Sequence, residues 1–180
     1  MGSSIKSQLK TLKLEANSYK KLGDFAKAEK SILKGLELKP DDNSFNHELA
    51  KIFFKNARYN KSLQLLLTLS KRIKRRQILF KDIAMCYYKM NKLEESLDAV
   101  QISLSENPDN ISSLYVEGLI YRELGDFEKS ILSFTKLLSL DSNNRDALYQ
   151  LGKIHHQNGR YREALESYDK VLEFRPRDNE

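Results

Sequence analysis

Side chains that commonly carry chemistry are few in this sequence: three histidines, His47, His155 and His156, and one cysteine, Cys86. Their spacing gives neither a His-Glu-x-x-His helix nor a Cys-His ligand set. No glycine-rich phosphate loop or Gly-x-Ser-x-Gly elbow is present. Cys86 lies between Met85 and Tyr87 in an apolar run, where a buried structural thiol is expected. His155 is expected between helices and His156 in solvent. These residues argue against an enzyme, and no metal, cofactor or small-molecule substrate is expected.

Charge is the other chemistry on offer, and it is unevenly spread. Residues 1–76 hold 18 Lys and Arg against 7 Asp and Glu, whereas residues 77–180 hold 13 against 18. The densest cluster is Lys71, Arg72, Lys74, Arg75 and Arg76, following the leucine-rich run from Leu63 to Leu69. Such a cluster can bind phosphate or a membrane surface, or it can simply complement the dipole at a helix end. Nucleic acid is the weaker reading, because no aromatic platform accompanies the charge.

The elements that position these residues follow from spacing. Apolar residues recur every three or four positions, and only 7 glycines and 3 prolines interrupt 180 residues, so the chain reads as all-α. No apolar run is long enough for a membrane span, and residues 1–10 lack the apolar stretch of a secretory signal, so a cytoplasmic location is expected. The prolines stand at 40, 108 and 176, two intervals of 68, or twice 34. Steps of 34 from Gly23 reach Ala57, Asn91, Gly125 and Gly159, each opening a related hexad. Glycine there suits a left-handed helix end; asparagine is next best, and Ala57 fits poorly. Phe25, Tyr59, Leu93, Phe127 and Tyr161 follow as wedges between paired helices. Three residues further on, Ala28, Ser62, Ser96, Ser130 and Ala164 are small enough for close approach. The expected layout is an extension over 1–8, one array of five repeats (9–42, 43–76, 77–110, 111–144 and 145–178) and a tail over 179–180.

This pattern resembles the tetratricopeptide repeat family, whose 34-residue unit reads W-x2-L-G-x2-Y…A-x3-F…P. The last repeat carries Leu148, Leu151, Gly152, Ala164, Tyr168 and Pro176; His155 departs from the Tyr19, Phe53, Tyr87 and Tyr121 found elsewhere. The resemblance implies a right-handed superhelical solenoid of five helix-turn-helix units, its first helices lining a concave groove. A scaffold or adaptor that binds a peptide or partner helix is the function it implies.

At groove-facing offsets the sequence places Lys10, Lys13, Asn17, Lys20, Lys21, His47, Lys51, Lys55, Lys81 and Lys89 early, with Glu48 and Asp82 as acids. Met85, Tyr88, Tyr115, Val116, Leu119, Tyr149 and Lys153 follow, a lining expected to turn apolar and aromatic. The expected ligand is acidic with apolar anchors. The chaperone-tail clamp of some family members survives only at Lys13 and Asn17; Glu48, Ile78 and Asp82 replace its other positions. Two alternatives stay open: a polyanion or membrane-surface binder, and the repeat segment of a larger enzyme or assembly. Leu165, Tyr168, Val171, Leu172 and Phe174 are expected on a partly bare outer face, which makes a partner, a continuation or head-to-tail self-association possible readings.

Overall fold

The computed structural model describes residues 2–73 and 77–173. Among them are ten helices and no strand: α1 (Gly2–Lys21), α2 (Phe25–Leu38), α3 (Asn43–Lys55), α4 (Tyr59–Ser70), α5 (Gln77–Lys89), α6 (Leu93–Glu106), α7 (Ile111–Glu123), α8 (Phe127–Leu140), α9 (Arg145–Gln157) and α10 (Tyr161–Glu173). They form two compact units, residues 1–91 with α1 to α5 and residues 92–180 with α6 to α10. Within each unit every helix packs on the next in sequence. Helix α1 runs back to Gly2, so residues 2–8, ahead of the first expected repeat, are helical.

Local chemistry sets the helix boundaries. Asp24, Asp42, Asn110, Asp126 and Asn144 each accept a backbone N–H from the first turn of the helix that follows, removing donors that would otherwise lack a partner. The first helices end at left-handed residues: Gly23, Gly125 and Gly159, but also Ala57 at φ 56° and Asn91 at φ 58°. At four of these turns the chain closes a six-to-one backbone bond, as in Asp24 N to Tyr19 O at 2.9 Å and Arg58 N to Phe53 O at 2.8 Å. Ala57 keeps the hairpin turn despite the clash of its Cβ, so the surrounding bonds override its preference.

Packing is close because small residues stand at the crossings. Ala28, Ser62, Ser96, Ser130 and Ala164 are all buried. The Ser62 hydroxyl donates to the Ala50 carbonyl at 2.8 Å, and the Ser130 hydroxyl to the Gly118 carbonyl at 2.7 Å, so a polar group enters the core without being orphaned. Glycines do the same work from the opposite side: a Cβ at Gly35 would lie 2.1 Å from the Phe45 ring, and one at Gly118 would lie 2.7 Å from Phe134. Ile32, Ile52, Leu66, Ile83, Ile120, Phe134, Leu137 and Ile154 fill the cores, each contributing roughly 1.5–3 kcal/mol through burial.

Candidate functional site

The first unit carries a cleft of about 490 Å³ lined by Lys20, Phe25, Lys51, Phe54, Lys55, Ser62, Lys81, Asp82 and Met85. Its register explains the mixture. Steps of 34 relate Lys20 to Phe54 and Lys51 to Met85, so successive first helices present the same positions with alternating character. The lining combines three apolar side chains, Phe25, Phe54 and Met85, with four lysines, Lys20, Lys51, Lys55 and Lys81.

Two carboxylates hold most of those ammonium groups in place. Glu48 accepts from Lys20 on α1 and, at 3.1 Å, from Lys51 one turn along α3. Asp82 lies 2.7 Å from His47 Nε2 on α3 and 2.6 Å from Lys81 Nζ. Burial pushes both carboxyls up, but the hydrogen bonds and charges of Lys20 and Lys51 on Glu48, and of His47 and Lys81 on Asp82, outweigh it and hold both below their ordinary values. Four lysines against two carboxylates leave the cleft with two excess positive charges when His47 is neutral. Lys55 is exposed and has no carboxylate partner among the described residues, so its charge is available to a ligand.

The remaining early residues do not line this cleft. Lys13 donates to Ser44 Oγ at 2.5 Å, Lys10 is exposed, Asn17 is half-buried, and Tyr88 lies under the Lys89 ammonium at 5.8 Å. Phe25, expected only as a wedge between paired helices, also lines the cleft, and Phe54 is a cleft residue that the sequence pattern did not single out. Phe54 was within reach, since it shares the register of Lys20 and Tyr88.

The second unit departs from the expected apolar lining. Val116 is 3% and Leu119 8% exposed, so both are core residues and not a surface for a ligand. Leu119 shares its register with Lys51 and Met85, but an apolar side chain there turns inward, where burial is favourable. Between α7 and α9, Arg122 bonds Gln150, whose amide reaches Tyr115 Oη at 3.5 Å. Tyr115 packs edge-on against Phe134 at 5.7 Å, and its burial raises the phenol above its ordinary value. Tyr149 is half exposed, tilted against Tyr168 and beneath the Lys153 ammonium at 5.8 Å.

Of the basic cluster, Lys71 and Arg72 are exposed, and Arg72 is spent on Asp41 at 2.8 Å; Lys74, Arg75 and Arg76 lie outside the described residues. Phe174 and Pro176 lie outside them as well. Cys86 is buried, donates to Ser62 Oγ at 3.4 Å, and has its thiol pushed up by burial, the opposite of an activated nucleophile. His156 is exposed and stacks edge-on with Tyr161 at 5.4 Å, while His155 is half-buried with a buried Nδ1 that has no hydrogen-bond partner. No helix among the described residues is long and apolar enough to cross a membrane.

Family models agree with the repeat seen in the helices: two described as "Tetratricopeptide repeat" match residues 14–42 and 146–178, and one described as "TPR repeat" matches residues 118–159. The chain is a tetratricopeptide repeat protein. Among curated relatives, the human signal recognition particle subunit SRP72 is 28% identical over 108 residues, covering 60% of this chain. This chain matches only 16% of that relative's length. Among solved structures, TTC0263, a thermophilic TPR protein of Thermus thermophilus, superposes with a TM-score of 0.81 at 23% identity, over 97% of this chain and 93% of that one. YrrB, described as a TPR protein with an unusual peptide-binding site, gives 0.65 at 17% identity, over 91% and 84%. At these identities the structural likeness establishes the tetratricopeptide repeat fold, an all-α helical-repeat solenoid, and leaves the ligand to be argued from the site.

Proposed function

We propose that this chain is a non-catalytic interaction scaffold that receives an acidic, apolar-anchored segment of a partner protein in the cleft of the first unit. The observation that carries the reading is the cleft itself: apolar Phe25, Phe54 and Met85 line it together with Lys20, Lys51, Lys55 and Lys81, with two positive charges in excess when His47 is neutral. A leucine or phenylalanine of the ligand would displace water from the apolar lining, while its acidic neighbours pair with Lys55 and share the ammonium groups held by Glu48 and Asp82. A free C-terminal carboxylate is a poor fit, since Glu48 and Asp82 stand where a clamp for it would need neutral or cationic groups. Support for a holding role also comes from the relatives, one named as a particle subunit and one as a protein with a peptide-binding site.

The test is fluorescence anisotropy with peptides of about a dozen residues that combine Asp or Glu with Leu or Phe, against otherwise matched peptides with a single feature removed. Binding is expected to require both features and to fall at least tenfold in Lys51→Glu/Lys55→Glu, with helicity unchanged. Equal binding by that variant, or by peptides without apolar residues, would sink the proposal; the second result would favour a general polyanion site, with affinity falling steeply in salt.

A further inference from the structure

In the first unit the first helices of successive repeats, α1, α3 and α5, meet side chain to side chain. Lys13 and Lys20 of α1 reach Ser44 and Glu48 of α3, and His47 of α3 reaches Asp82 of α5. Positions 34 residues apart therefore stand roughly level across the three helices. Of the rows formed by residues 9–21, 43–55 and 77–89, only one carries the same charge three times: Lys21, Lys55 and Lys89, in the last turns of α1, α3 and α5.

All three lysines are exposed, and none pairs with a carboxylate among the described residues; the Lys89 ammonium stands over the Tyr88 ring at 5.8 Å. By contrast, Lys20, Lys51 and Lys81 are engaged by Glu48 and Asp82. A cation in the last turn complements the helix dipole, but closing the hairpin does not call for one. In α7 and α9 the same position holds Glu123 and Gln157. Both of those hairpins still close with the six-to-one bond of the first unit, Asp126 N to Tyr121 O at 2.9 Å and Arg160 N to His155 O at 2.8 Å. The lysine ladder thus belongs to the first unit and not to the repeat as such.

We infer that Lys21, Lys55 and Lys89 together read an extended, proline-bearing segment of a partner protein with a carboxylate at every third residue. The inference rests on the cleft receiving the same segment's apolar anchor, since Lys55 belongs to both cleft and ladder. Spacing selects the conformation. Helices whose side chains meet stand about 8–10 Å apart, and so do the lysines of neighbouring rungs. A polyproline II chain returns the same face every three residues, or about 9 Å. A β-strand returns it after about 7 or 13 Å and falls out of step. An α-helix matches only at every seventh residue and needs about 15 residues to reach all three lysines. A short segment already held extended by proline loses less freedom on docking.

The probe is fluorescein-labelled Glu-Pro-Leu-Glu-Pro-Leu-Glu, compared by anisotropy on the full chain with its isomer Pro-Leu-Glu-Glu-Glu-Pro-Leu and with a stapled helix carrying glutamate at every seventh position. The periodic peptide should bind roughly tenfold or more tightly than the isomer. Lys21→Glu and Lys89→Glu, neither of which touches the cleft lining, should each weaken it roughly fivefold and leave the isomer within about twofold. Both lysines are exposed, so the variants should keep the parent's circular dichroism. Equal affinity of the two isomers, tighter binding by the helix, or indifference of the periodic peptide to both substitutions overturns the inference. If binding then still falls in Lys51→Glu/Lys55→Glu, the cleft reading stands without the ladder; if no peptide binds, both fall.

Discussion

His47 Nε2 on α3 lies 2.7 Å from a carboxylate oxygen of Asp82 on α5, tying together two first helices one repeat apart. Lys81 approaches the other oxygen at 2.6 Å, so the carboxylate has a partner on each side and little need of solvent. The arrangement fixes the spacing of α3 and α5 along the wall of the cleft.

Removing one member of this pair should cost stability in proportion to what it leaves behind. His47→Ala keeps Lys81 on Asp82 and is expected to cost about 1 kcal/mol, whereas Asp82→Ala leaves His47 and Lys81 without their acceptor and should cost about 1–3 kcal/mol. Urea unfolding of both singles and the double gives the coupling between them, and additive losses would show that the contact contributes nothing.

The acid limb of stability should trace to Glu48 and Asp82. Both carboxyls are lowered in the folded state, so their contribution is present above the unfolded values and is lost as pH falls through the lower folded values, a window beginning near about pH 4. A Glu48→Gln/Asp82→Asn variant should lose less stability than the parent between about pH 5 and pH 2. Equal slopes in urea titrations across that range would show that other groups control it.

Ala57→Gly should stabilise the protein. Residue 57 is exposed and held at φ 56°, where glycine has no steric cost and alanine does. The strain of about 1 kcal/mol is partly offset by the greater freedom of glycine in the unfolded chain, leaving a net gain of roughly a few tenths of a kcal/mol. A rise in the midpoint of thermal unfolding checks it; a fall would mean that backbone entropy dominates.

Gly35→Ala should be damaging although it adds a single methyl group. The new Cβ would meet the Phe45 ring at 2.1 Å, and the ring itself is confined by the core, so a cost of about 1–3 kcal/mol is expected. Adding Phe45→Leu should recover part of the loss, which a merely local helix-propensity effect would not allow.

Turn positions were legible in the sequence because they depend on backbone conformation and recur at a fixed interval; Ala57 shows that register can be read even where the residue type is wrong. Depth was not legible in the same way. Lys51, Met85 and Leu119 share one register, and only the first two line the cleft, because the side chain's own chemistry and its neighbours decide whether it turns outward or inward. Likewise, Glu48 and Asp82 could be placed among the lysines, but a sequence does not show that each would engage two side-chain nitrogens, Lys20 and Lys51 on Glu48 and His47 and Lys81 on Asp82. Phe54 was legible in principle, because Lys20 and Tyr88 stand at the same helical position one repeat to either side.

The buried serine hydroxyls at Ser62 and Ser130 have a consequence for how the structure opens. Each fastens the two helices of its own hairpin through a backbone carbonyl, a tie that shifts of the neighbouring repeat do not break. Ala28 in α2 and Ala164 in α10 occupy the same place without a hydroxyl. The outermost hairpins thus lack this serine tie and are the parts of each unit where amide protons should first meet solvent, while α3 with α4 and α7 with α8 remain latched.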